Sequence, residues 1–140
     1  MEFKELVEQT AHLEHLYKVT EDVYRAFQIA SEDYNSLHTD VEFARLKGFD
    51  ECVMYGNILN CFVSHLVGMV MPTKDVMIQT QDIQYHKPVF LNDDILIKAE
   101  IEDESEAVKI INYKLKFYRT NADKSQLVAK GHVQIGLLTK

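Results

Sequence analysis

One stretch, about Gly56 to Met71, constrains this chain more than any other. Ile58, Leu59, Phe62, Val63, Leu66 and Val70 recur there at helical spacing and make one wide apolar face. Asn57, Asn60, Cys61, Ser64 and Gly68 fall on the opposite side, a small or polar stripe suited to a groove or a partner. Pro72 helps to stop the helix. The run is shorter than the ~20 apolar residues that span a bilayer, and Asn60, Ser64 and His65 interrupt it. It reads as a buried helix, which needs a broad apolar surface to pack on.

The second half of the chain supplies that surface. Ile95, Ile97, Ala99 and Ile101 alternate with Leu96, Lys98, Glu100 and Glu102, the period of a strand. Ile111, Tyr113, Leu115 and Phe117 repeat the pattern, as do Leu127, Ala129, Val133, Ile135 and Leu137 with Gly131 between. Val76 to Tyr85 is a further strand, whose apolar parity shifts between Ile78 and Ile83 and so predicts a bulge. Asn92-Asp93 suits a tight turn with positive φ. Glu102 to Glu106, acidic except for Ser105, reads as a solvated hairpin tip.

Before the long helix, His15 to Val19 reads as a first strand. Thr20 caps a helix over Glu21 to Ser31, with Val23, Phe27 and Ala30 at helical spacing. Ser31 to His38 is rich in turn formers. Thr39-Asp40-Val41-Glu42 is a capping-box pattern opening a short helix that ends near Gly48. Helices followed by a run of antiparallel strands imply an α+β fold, with one helix packed on the sheet. At 140 residues the whole chain, 1–140, suits a single domain. Pairing with a second copy would hide the apolar surface that one helix leaves uncovered.

Charge narrows the partners. Lys and Arg total 15 against 22 Asp and Glu, a net −7, which disfavours binding to nucleic acid or to an anionic membrane. Cys52 and Cys61 fit neither a metal site nor a disulfide framework and are expected as reduced, mostly packed thiols. The charged N-terminus lacks the apolar run of a signal peptide, so a cytoplasmic location is expected. His12, His15, His65 and His86 complete no ligand spacing, so no metal is expected.

Chemistry concentrates in one turn. His38 lies five residues after Asp33, with Asn35 between them. A carboxylate and an imidazole close together can share one water, the first taking its proton and the second orienting it. From spacing alone, the same residues also suit a capped turn. Gly56 stands where the long helix starts, and free N–H groups there can hold an oxyanion.

Taken together, the segment Ser31-Glu32-Asp33-Tyr34-Asn35-Ser36-Leu37-His38-Thr39-Asp40 resembles the hydratase motif of the MaoC-like (R)-specific enoyl-CoA hydratases, which have the hot-dog fold. The likeness continues through Phe43-Ala44, Gly48-Phe49, Val53 to Leu59, Pro88 to Asp93 and Ala129-Lys130-Gly131, over roughly residues 12 to 138. It implies a hydro-lyase that adds water to an enoyl thioester or removes it from a 3-hydroxyacyl thioester. Asp33 and His38 would handle the water, and Gly56 would donate its N–H to the thioester carbonyl. Asn35, Tyr55 and Ser64 would support the site. The substrate would ride on coenzyme A or acyl carrier protein, with no metal or redox cofactor, and the enzyme would be a homodimer.

Tyr55 stands where the family commonly has His, Ser36 where it has Pro, Asn57 where it has an apolar residue and Asn92 where it has Gly. Two alternatives stand beside this reading: an acyl-CoA thioesterase on the same fold, and a non-catalytic acyl-thioester-binding domain. Coenzyme A carries phosphates, so a local basic patch is expected near the groove despite the −7 charge. Lys87 and Lys98 are the candidates.

Overall fold

A computed structural model describes residues 1–121 and 124–139. The alternating segments form one antiparallel sheet of five strands. They are β1 (His12–Lys18), β2 (Val76–Tyr85), β3 (Asp94–Ser105), β4 (Ile110–Arg119) and β5 (Gln126–Leu137), in the spatial order β1-β3-β4-β5-β2. Five α-helices accompany them: α1 (Phe3–Gln9), α2 (Glu21–Ser31), α3 (Ser36–Thr39), α4 (Val41–Leu46) and α5 (Ile58–His65). A π-helical segment, Leu66–Val70, extends α5.

The core is the contact between α5 and one face of the sheet. Ile58, Leu59, Phe62, Val63 and Leu66 are buried against the same core as Ile95, Ile97, Ile111, Tyr113, Leu115, Phe117, Val133 and Ile135. Each such side chain contributes about 1.5–3 kcal/mol by leaving water. This is the α+β hot-dog arrangement that the resemblance implied, with the sheet wrapped around α5. On the polar stripe Asn57, Cys61, Ser64 and Gly68 are exposed, while Asn60 is half-buried and bonds to Tyr85 and Gln81. No helix among the described residues is long and apolar enough to cross a membrane.

Several local expectations hold. Thr20 Oγ1 accepts the Val23 N–H and caps α2. The β2 register shifts between Ile78 and Thr80, inside the segment where parity slips. Asn92 has φ 69°, the left-handed conformation that Asn tolerates. Gly131 is required where β5 meets β2, because a Cβ there would lie 2.1 Å from the Asp82 carbonyl oxygen.

Others shift. β1 starts at His12 rather than His15, because its pairing with β3 defines it and its own pattern is weak: only Tyr17 is fully buried. The cap of α4 is Asp40, whose Oδ1 accepts the N–H groups of Glu42 and Phe43 at 3.0 and 3.3 Å. Thr39 instead closes α3, donating its hydroxyl to the Tyr34 and Asn35 carbonyls. β3 runs through Ser105, so the hairpin turn lies at 106–109 and most of the acidic run is strand. Gly56 sits in a turn just before α5 rather than inside it. The helix ends in a π turn, with the Met71 N–H reaching the Leu66 carbonyl five residues back. Cys52 is half-buried and Cys61 is exposed, both as free thiols.

One buried polar pair ties α1 to the sheet. Thr10 Oγ1 lies 2.7 Å from the Leu6 carbonyl and 2.5 Å from the Tyr113 phenol. The carbonyl can only accept, so Thr10 donates to it and Tyr113 donates to Thr10. Burial pushes the Tyr113 phenol up to about 12, against the smaller opposing effect of the Thr10 bond. Burial likewise raises Tyr17 to about 12. A raised folded-state value means that the unfolded chain loses these protons first, near pH 10. Their contribution is therefore complete below about pH 10 and is lost as pH rises toward 12. Urea midpoints measured across this range should fall with pH, and less steeply in Tyr113→Phe.

Candidate active site

The turn between α2 and α3 places the chemistry through short local bonds. The Asn35 N–H donates to Asp33 Oδ1 at 2.9 Å, and the Leu37 N–H donates to Asn35 Oδ1 at 2.9 Å. These two side-chain turns bend the chain into α3 and set His38 one turn on, facing back toward Asp33. Asn35 thus braces the loop, the part its side-chain geometry suits.

His38 is held at its other nitrogen. Nδ1 lies 2.7 Å from the Val53 carbonyl, which can only accept, so Nδ1 carries the proton. Nε2 then faces Asp33 Oδ2 at 4.0 Å, with a lone pair when the ring is neutral. That separation is too long for a direct hydrogen bond, and it suits two groups turned to one water. The imidazole is largely covered, while the Asp33 carboxylate stays partly open to solvent.

Beneath the pair lies a polar hub that the sequence pattern did not reveal. The Tyr55 hydroxyl donates to the Asp33 carbonyl, and the Tyr24 hydroxyl donates to the His38 carbonyl at 2.6 Å. Gln28, buried on α2, donates to both phenols, at 3.2 and 3.3 Å. Burial first, and Tyr55 second, raise the Tyr24 phenol above its ordinary value, so it remains a donor. The Tyr55 ring packs on His38 with centroids 4.2 Å apart. Tyr55 therefore braces the turn from behind. Apolar spacing in α2 pointed to Val23, Phe27 and Ala30, but Ala30 is exposed and Gln28 is buried. A hydrophobic pattern cannot register a buried amide.

A cleft of about 310 Å³ opens beside the pair. His38, Val53, Met54, Gly56, Asn57 and Leu59 line one side, and Tyr85, Lys87, Pro88 and Val89 the other. The Gly56 N–H is matched to no protein acceptor among the described residues. The Tyr85 ring covers Gly56 so closely that a Cβ there would meet ring carbons at 3.0–3.2 Å. Tyr85, which the sequence did not single out, joins Asn60 and Asn57 through its hydroxyl. Burial pushes its phenol up, partly offset by the Asn60 bond.

The structure thus gathers His38 and Gly56 on one cleft and links Asp33, Asn35 and Tyr55 to it through His38 and its turn. Ser64 is not brought there. It sits on the exposed stripe of α5, outside the cleft lining. The expected basic patch does not line this cleft: Lys87 is the single cation among its described lining residues, and Lys98 lies elsewhere, on β3 beside Lys114 and Lys116. No group of three His, Cys, Asp or Glu side chains among the described residues could hold a metal ion.

This geometry can be set beside known proteins. The chain is 33% identical over 76 residues to the (R)-specific enoyl-CoA hydratase of Aeromonas caviae, covering 54% of this chain and 57% of that protein. It is 25% identical over 104 residues to the mitochondrial 3-hydroxyacyl-[acyl-carrier-protein] dehydratase of Arabidopsis thaliana, covering 73% of this chain and 61% of that one. The matches therefore span about three fifths of these curated relatives. Among solved structures, an (R)-hydratase from A. caviae involved in PHA biosynthesis superposes with a TM-score of 0.80. At 24% identity, and covering 90% of this chain and 93% of that one, it speaks to the fold. A family model described as MaoC like domain matches residues 2–122, which include the Asp33–His38 turn, the α5 entrance and strands β1 to β4, so the chain belongs to the MaoC-like domain family.

Proposed function

We propose that the protein is a hydro-lyase acting on acyl thioesters, hydrating an enoyl thioester or dehydrating an (R)-3-hydroxyacyl thioester. The observation that carries this reading is the Asp33–His38 pair, 4.0 Å apart with His38 Nδ1 committed to Val53, of which His38 lines the same cleft as Gly56. In hydration, Asp33 takes a proton from a water held by His38 Nε2. The water oxygen bonds to the β-carbon of the enoyl group. Electron density moves to the thioester oxygen, where the Gly56 N–H stabilises it. A proton returned to the α-carbon completes the addition and leaves Asp33 ionised.

A cleft with one lysine gives the phosphates of coenzyme A little to hold. Recognition then falls to the acyl and pantetheine portions, which coenzyme A and acyl carrier protein share. A homodimer fits the same reading, since the stripe of Asn57, Cys61, Ser64 and Gly68 on α5 has no cover within one protomer. Light scattering on the purified protein checks it, and a monomer mass would overturn it.

The test is a screen of enoyl and 3-hydroxyacyl thioesters of several chain lengths on both carriers. Loss of the enoyl absorbance without release of thiol supports the reading. Thiol release would make the protein a thioesterase, and tight binding without turnover an acyl-thioester-binding domain. Gly56→Ala should lower kcat/KM by roughly tenfold to a hundredfold, because the added methyl displaces the Tyr85 ring and shifts the donor. Parent-level kinetics in this variant would remove Gly56 from the mechanism.

A further inference from the structure

We propose that Gln28 is a positioning residue that sets the spacing between Asp33 and His38, an assignment resting on the hydro-lyase reading of that pair. The argument is a complete donor and acceptor account. A Gln amide has two N–H donors and one carbonyl acceptor. Arg25 Nη1 donates to Gln28 Oε1 at 3.2 Å, while Arg25 Nε is held by Glu21 Oε1 at 2.8 Å. With its oxygen taken, the amide turns its nitrogen toward Tyr24 and Tyr55 and donates to both phenol oxygens.

Each phenol, having accepted, points its own hydrogen onward. Tyr24 donates to the backbone carbonyl of His38, and Tyr55 donates to the backbone carbonyl of Asp33. One side chain therefore fixes the direction of two hydrogen bonds that end on the two residues sharing the water. Gln28, Tyr24 and Tyr55 are all buried, so these bonds are largely shielded from solvent. Gln28 touches neither reacting group and acts only through the phenols.

Gln28→Glu tests this because it keeps size and shape and reverses polarity. A carboxylate only accepts, so both phenols turn their hydrogens to it and release the Asp33 and His38 carbonyls. The expected result is a fall in kcat of roughly tenfold with KM little changed. Crystal structures of parent and variant should show the Asp33 Oδ2–His38 Nε2 separation leaving 4.0 Å. Gln28→Met, which removes both donors at similar volume, should lower kcat in the same way.

If Gln28→Glu does not fold, Tyr24→Phe decides, since it frees only the His38 carbonyl and should lower kcat with KM unchanged. Parent-level kcat in Gln28→Glu, or an unmoved pair in its crystal structure, would overturn the assignment. So would a Tyr24→Phe variant with parent kcat. If the parent turns over no thioester, the hydro-lyase reading fails by itself, and the crystallographic separation still decides whether Gln28 sets the pair.

Discussion

Asp33→Asn is expected to cut hydration of a short enoyl thioester by about 10²–10⁴-fold, the usual contribution of a well-placed proton-transfer group. An amide cannot take the water's proton, yet Oδ1 can still accept the Asn35 N–H that shapes the turn. The carboxylate is partly open to solvent and its one ion-pair partner among the described residues is His38, so little stability depends on its charge. Steady-state kinetics beside a thermal melt separates the two effects. The loss should fall on kcat, with a melting temperature close to that of the parent. A variant that keeps the parent rate would rule out Asp33 as the base.

Asp93→Ala is expected to do the reverse and strike at folding. Asp93 is buried, and its carboxylate accepts the Phe90 N–H at 2.8 Å and the Asn121 amide at 3.0 Å. Arg119 Nε stands 2.9 Å away, although its N–H is not aimed along that line, so the contact is mainly ionic. Removing the carboxylate leaves a partly buried guanidinium and the part-buried Phe90 N–H without their partner, at a cost of about 3 kcal/mol. For a domain of this size, that lowers the melting temperature by roughly 10 °C. Differential scanning calorimetry measures it. Asp93→Asn keeps the acceptor for Phe90 and should fall between parent and alanine variant.

The same node reaches the cleft. The 88–93 loop supplies Pro88 and Val89 to its lining, and the Val89 carbonyl accepts the Met54 N–H at 2.8 Å, two residues before Gly56. A variant at Asp93 that still folds should therefore show a raised KM as well.

Short-range rules account for the parts of this protein that the amino-acid order encodes directly. The period-two alternation of β3, β4 and β5 and the apolar face of α5 specify which surfaces must meet. Asn92 and the parity slip in β2 mark their turn and bulge. The Asp33-x-Asn35-x-x-His38 segment is legible as a turn because the bonds that bend it lie within a few residues, and as a site only through its family resemblance. The tertiary structure decided what depends on atoms distant in sequence. Gln28, Tyr24 and Tyr55 come together across 31 residues only when α2 packs beside α5, and a buried polar hub has no periodicity to betray it. Tyr85 covers Gly56 because β2 returns past the start of α5, and Ser64 is turned away because the helix commits its apolar face to the sheet. Hydrophobic pattern tells which side of an element is buried. Which polar groups meet there is settled only by the donors and acceptors that packing brings within reach.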